Sequence, residues 1–210
     1  MRHLFRFCVI LIFGILMSAC GKTSNVLFSD DFSSIDNNWD KAKDQNMTTD
    51  YYNNAYRILV NEANYDAWAN PDDLSFTDVQ IEVDATKNGG PDTNDFGVIC
   101  RYKGKDGYYY GTLSSDGYYG IYKKSAAGGN QLGTGGELYS DKILTGSATN
   151  HIRFDCVGST LTLYANGILL EQETDTTYKD GNVGLIAGTY TQTGTDILFD
   201  NMFVYRPSAQ

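Results

Sequence analysis

The chain has 210 residues, a formal net charge of −10, 41% hydrophobic residues and 13% aromatic residues. That length and apolar content suit one domain with a core large enough to fold alone. A chain this acidic is repelled by phosphate backbones, which argues against nucleic acid as a partner.

In chain order, Arg2 and Arg6 make a basic start, and an apolar run over 7–16 is interrupted by Gly14. The run is far short of the roughly 20 apolar residues that cross a bilayer, so 1–19 reads as a removable export signal. Its end, Leu16-Met17-Ser18-Ala19-Cys20, resembles a bacterial lipobox, with Met17 where leucine is commonest. The resemblance implies cleavage before Cys20 and a lipid, palmitate among its acyl groups, on the sulfur. An ordinary signal peptide leaving a free Cys20 is the alternative. The lipid reading places the protein on a bacterial membrane, facing the periplasm or the cell exterior, with the lipid as its anchor. Loss of Arg2 and Arg6 takes the charge from −10 to −12.

Residues 20–25 are a lipidated cysteine and a short polar tether, 26–206 a single domain, and 207–210 a tail. Alternation of apolar and polar residues predicts strands over 56–61, 79–85, 96–102, 108–114, 118–123, 152–157, 161–165, 168–173, 183–187 and 197–205. Glycine-rich stretches at 88–92 and 126–130 read as loops, as does 189–195. No stretch carries a 3.6-residue period. Many short strands of this kind predict an all-β sandwich.

Two hairpins can be placed in register. Asn166-Gly167 between apolar runs fits a type I′ turn, whose central residues need positive φ. Ser115-Asp116-Gly117 fits a three-residue loop that pairs Leu113 with Tyr119 and Gly111 with Ile121. The opposite face then carries Tyr108, Tyr110, Thr112, Tyr118 and Tyr122; a two-residue loop would put Leu113 and Ile121 on different faces. Cys100 and Cys156 both fall on the apolar phase of their strands. In an oxidising compartment they form either a core disulfide or two buried thiols, and the bridge is the favoured reading.

Four segments carry a wider resemblance: Asp31-Phe32-Ser33 with Trp39; Phe96-Gly97-Val98-Ile99-Cys100-Arg101-Tyr102; Leu163-Tyr164-Ala165-Asn166-Gly167; and Phe199-Asp200-Asn201-Met202-Phe203-Val204. With them the chain resembles the concanavalin A-like lectin/glucanase superfamily, and within it the laminin-G-like and 3-keto-disaccharide hydrolase-like domains. The resemblance implies a two-sheet antiparallel jelly-roll β-sandwich, with ligands on a concave face or at the loop rim. These are scaffold motifs and specify no activity.

Candidate chemistry comes from three groups of residues. Glu82-Val83-Asp84-Ala85-Thr86-Lys87 resembles the E-x-D-x-E or E-x-D-x-x-E strand of family 16 glycoside hydrolases, but Thr86 or Lys87 stands where the last glutamate belongs. Without that second carboxyl group the retaining mechanism fails. Val79, Ile81, Val83 and Ala85 then face the core and Glu82 and Asp84 face outward. The tyrosine stripe, Tyr108, Tyr110, Tyr118 and Tyr122, offers flat apolar surface and hydroxyls to a sugar, although cross-strand pairing alone also favours aromatics. Arg101 and Arg153 share the outward parity and are expected to bind a sugar or pair with a carboxylate. Trp68 is either a further platform or a core residue. Asp30, Asp31, Asp200 and Asn201 meet if the terminal strands pair, and their hard oxygens suit a structural Ca²⁺, although aspartates also serve turns and caps.

The leading expectation is a membrane-anchored, noncatalytic carbohydrate-binding module without a cofactor. The alternatives are a glycoside-active enzyme of the 3-keto-disaccharide hydrolase type, using Glu82, Asp84, Arg101 and Asp155, and an interaction domain for another cell-envelope component.

Overall fold

The computed structural model describes residues 25–207, apart from 134, 135 and 137. The export signal, Cys20 and the last tail residues lie outside the described residues. The strands are β1 (Val26–Asp30), β2 (Ala42–Lys43), β3 (Met47–Tyr52), β4 (Ala55–Val60), β5 (Asp66–Ala69), β6 (Val79–Gly89), β7 (Asn94–Tyr102) and β8 (Gly107–Leu113). They continue with β9 (Tyr118–Ser125), β10 (Gly128–Gln131), β11 (Leu138–Tyr139), β12 (Asn150–Val157), β13 (Thr160–Ala165), β14 (Ile168–Thr174), β15 (Asn182–Thr189) and β16 (Thr195–Tyr205). Among the described residues no helix is long and apolar enough to cross a membrane.

The strands form two antiparallel sheets, the expected jelly-roll sandwich. A nine-stranded sheet runs β14-β13-β12-β6-β16-β4-β3-β2, with β1 also on β16; a seven-stranded sheet runs β10-β9-β8-β7-β15-β5, with β11 also on β9. Period-two patterning sets which face is buried. In β6, Val79, Ile81, Val83 and Ala85 are buried and Gln80, Glu82 and Asp84 face out. In β12, Ile152, Phe154 and Cys156 alternate in the same way with His151, Arg153 and Asp155. Across the core stand Phe96, Val98 and Cys100 of β7 and Tyr109 and Leu113 of β8. Gly111 sits where the sheets approach: a Cβ there would stand 3.0 Å from both Leu163 Cδ1 and Phe154 Cδ2.

Both hairpins have the register read from sequence. Ala165 pairs with Ile168, and Asn166 and Gly167 take φ of 53° and 81°. Leu113 pairs with Tyr119 and Gly111 with Ile121, while Gly117 supplies φ 99° in the loop. Cys100 and Cys156 form a disulfide that ties β7 in one sheet to β12 in the other.

Candidate functional site

Every residue of β8 is buried, although it has a sheet on only one side. The face turned away from the core is covered by its own aromatic side chains. Ile99, Tyr108, Tyr110 and Ile186 form a second apolar layer, with Trp68, Tyr102 and Tyr122 packed against it. Tyr108 is the hub, with ring centroids 5.4 Å from Tyr102, 5.6 Å from Tyr110 and 6.0 Å from Trp68. Tyr110 and Tyr122, a cross-strand pair, stack at 5.0 Å with 15° between their planes. Trp68 Nε1 donates to the Tyr102 hydroxyl at 3.1 Å. Buried aromatic rings whose polar ends are partnered hold a fixed geometry.

A groove of about 510 Å³ opens over this layer, lined by Asp66, Asp95, Tyr110, Tyr122, Lys124, Gly129, Gln131, Gly136 and Tyr190. Register explains its two acids. Asp66 of β5 and Asp95 of β7 both pair with Gly188 of β15, one from each side. A Cβ on Gly188 would stand 2.2 Å from Asp95 Oδ1 and 2.6 Å from Asp66 Oδ1, so the bare glycine lets both carboxylates converge on one point. Burial lifts the Asp66 carboxyl above the ordinary carboxylate value, and the Lys124 charge opposes part of that rise. The hydroxyls of Tyr108 and Tyr110 are raised far above the usual phenol value, first by burial and then by the Asp66 charge, with Asp95 adding at Tyr110. They therefore remain protonated donors at any physiological pH. The Gln131 amide is held by two bonds to Gly136, Nε2 to the carbonyl at 2.9 Å and Gly136 N to Oε1 at 3.0 Å. The result is an aromatic floor beside convergent acceptors and donors, which suits a polyhydroxylated ligand.

Of the residues expected from sequence, Tyr108, Tyr110, Tyr122 and Trp68 share the outer aromatic layer, where Tyr110 and Tyr122 line the groove and Tyr108 is buried beneath. Trp68 joins the outer aromatic layer and is not part of the inter-sheet core. Tyr118 lies on the same face but stands apart, 40% exposed and edge-on to Tyr139 at 5.6 Å. Asp66, Asp95, Lys124 and Gln131 were not expected. Asp66 flanks Trp68 at even spacing, the one local signal that placed it on this face.

Arg101 is a correction. It is 2% exposed and lies outside the tyrosine-faced groove, at the edge of a separate pocket lined by Thr77, Asp78 and Tyr178. A bulge opposite Asn182 and Gly184, with Arg101 at φ 55°, breaks the strand parity on which the expectation rested. Its guanidinium donates to the carbonyls of Thr77 (3.1 Å), Tyr178 (2.8 Å) and Cys156 (3.3 Å) and to Asp78 Oδ1 (3.2 Å). Arg153 does face outward, but on the nine-stranded sheet. There it forks onto Asp155 at 2.8 and 2.6 Å and lies 4.6 Å over the Tyr164 ring. Glu82 and Asp84 share that face, Asp84 bonded to His151 Nδ1 at 2.8 Å. The suspected enzyme set of Glu82, Asp84, Asp155 and Arg101 is thus divided, with Arg101 buried away from the three acids.

The four residues named for calcium are engaged in local hydrogen bonds. Among the described residues no group of three or more His, Cys, Asp or Glu could hold a metal ion. Asp30 accepts from Phe32 N at 2.7 Å and Trp39 Nε1 at 2.9 Å, and Asp31 from Ser33 N and Oγ at 3.0 and 2.6 Å. Asp200 accepts from Asn201 N at 2.7 Å, and Asn201 Nδ2 donates to Asp84 at 3.1 Å. These bonds fold turns and a bulge, and Asp30 and Asp31 both line a pocket with Ser29, Ser34, Asn37 and Phe203.

No protein-family model and no curated protein matches the sequence. Solved structures do share the fold. The carbohydrate-binding module CBM66 from Bacillus subtilis has a TM-score of 0.64 at 15% identity, over 80% of this chain and 95% of that one. A galectin-like-fold protein of unknown function, also from Bacillus subtilis, has a TM-score of 0.68 at 8% identity, over 89% and 98%. A glycosidic hydrolase has a TM-score of 0.62 at 13% identity, over 88% and 97%. At these identities the likeness shows the fold.

Proposed function

We propose that this protein is a noncatalytic glycan-binding module, anchored to a bacterial membrane through a lipid on Cys20, that takes its ligand on the outer face of the seven-stranded sheet. The observation that carries this reading is the aromatic-floored groove in which Asp66, Asp95, Lys124 and Gln131 surround the stacked pair Tyr110 and Tyr122. A sugar presents apolar C–H faces to such rings and hydroxyls to such polar groups. The carbohydrate-binding module and glycosidic hydrolase of the same fold support the ligand class. The noncatalytic reading draws on the incomplete carboxylate motif, which lies on the other sheet and whose Lys87 is paired with Asp92. Binding at a single site of this kind is weak, and many copies on one membrane raise the avidity.

A glycan array probed with the mature chain is expected to give hits that fall at least about tenfold in Tyr122→Ala and in Asp66→Ala. An array without hits at high protein density would count decisively against the reading. The anchor has its own test. Cells fed labelled palmitate are expected to label the wild-type chain and to leave Cys20→Ser unlabelled. Equal labelling of the two would remove Cys20 as the attachment point.

A further inference from the structure

Tyr118 and Tyr139 are not used by the groove as described, yet both are exposed, at 40% and 61%, on the same outer face. Tyr139 of β11 pairs with Tyr118 of β9, so the two side chains rise on one side. Exposed aromatic side chains that touch each other at a sheet edge bury little of their own surface, which argues for a ligand rather than for stability.

Two glycines join this pair to the groove. Gly120 lies between Tyr118 and Tyr122 on the outward phase of β9. The Tyr122 ring is laid down over it, its hydroxyl 2.8 Å from where a Cβ on Gly120 would stand. Gly117 seats Tyr139 in the same way, with Cε2 2.8 Å from the corresponding point. Bare positions under both rings let them lie along the sheet as platforms. The sequence of aromatic surface therefore runs Tyr110, Tyr122, Tyr118, Tyr139, with the groove acids at one end. Tyr118 and Tyr122 are four residues apart on one strand, about 13 Å between their Cα atoms, and the Tyr122 ring, laid back over Gly120, covers part of that span.

We infer that the site is extended, and that its ligand is an oligosaccharide chain with one unit in the groove and a later unit on Tyr118 and Tyr139. This rests on the glycan reading of the groove. The test is a calorimetric titration of the mature chain with xylo-, cello- and chito-oligosaccharides of one to six units. Affinity is expected to rise with length. Tyr139→Ala should lose about tenfold on the longest binding chain while leaving the shortest binding chain unchanged, and Tyr139→Phe should restore the loss. Long chains bound equally by the wild type, Tyr118→Ala and Tyr139→Ala would overturn the extended site and leave the groove standing. Equal binding by Tyr122→Ala at every length, or no binding of any sugar by the wild type, would overturn both.

Discussion

Arg101→Ala is expected to destabilise the fold by about 3–5 kcal/mol, because it strands partners that the buried guanidinium now satisfies. The Arg101 side chain is 1% exposed, and among the described residues its charge is paired with Asp78, itself 43% exposed. Three backbone carbonyls, from Thr77, Tyr178 and Cys156, lose a donor in the same substitution. Lysine does not rescue the site, because a point charge with three donors cannot reproduce the planar fork. The contrasting variant is Arg153→Ala. Its forked pair with Asp155 lies on the solvent-facing side of the other sheet, where such pairs contribute about 1 kcal/mol or less. Urea denaturation midpoints of the two variants separate the cases; a loss below 1 kcal/mol for Arg101→Ala would show that the clamp is not structural. Sugar affinity of the folded fraction is expected to be unchanged, since Arg101 does not line the groove.

The second large effect is that of the disulfide. Cys100 and Cys156 are 56 residues apart in sequence and each is 0% exposed. Closing a loop of that length removes about 4 kcal/mol of unfolded-state entropy in the chain-entropy model. The bond also ties the two sheets together, so its loss frees them to separate at the β7 and β12 positions. Replacing both cysteines with alanine is expected to lower the thermal midpoint by about 10 °C. Because both sulfurs are buried, reductant alone is expected to leave the native protein oxidised, and reduction should follow unfolding in denaturant. An unchanged midpoint in the double variant would show that the bridge adds no stability.

The long strands were legible because their alternation is strong. Val79, Ile81, Val83 and Ala85 against Gln80, Glu82 and Asp84 admit one orientation. The Ser115-Asp116-Gly117 loop fixed the register that places Tyr108, Tyr110 and Tyr122 on one face. The strands β1, β2, β3, β5, β10 and β11 escaped because they are short or, like Met47–Tyr52, mix polar and aromatic residues without a clear period. Parity failed at Arg101 because a bulge is invisible to an alternation argument. The acids of the groove escaped for a different reason. Asp66 and Asp95 lie on strands that meet only through β15, and what brings them together is the missing side chain of Gly188. Asp30 accepts from the Trp39 indole and Asp31 from Ser33, local bonds that an acidic pair in sequence does not disclose.

In the proposed function, ligand binds over the outer aromatic layer of the seven-stranded sheet. Backbone amide shifts followed by NMR during titration with the best-binding oligosaccharide test it most directly. Shifts centred on Asp66, Asp95, Tyr110, Tyr122, Lys124 and Gln131 are expected. Shifts centred instead on Glu82, Asp84, His151 and Arg153 would place the ligand on the other sheet and contradict the proposed function.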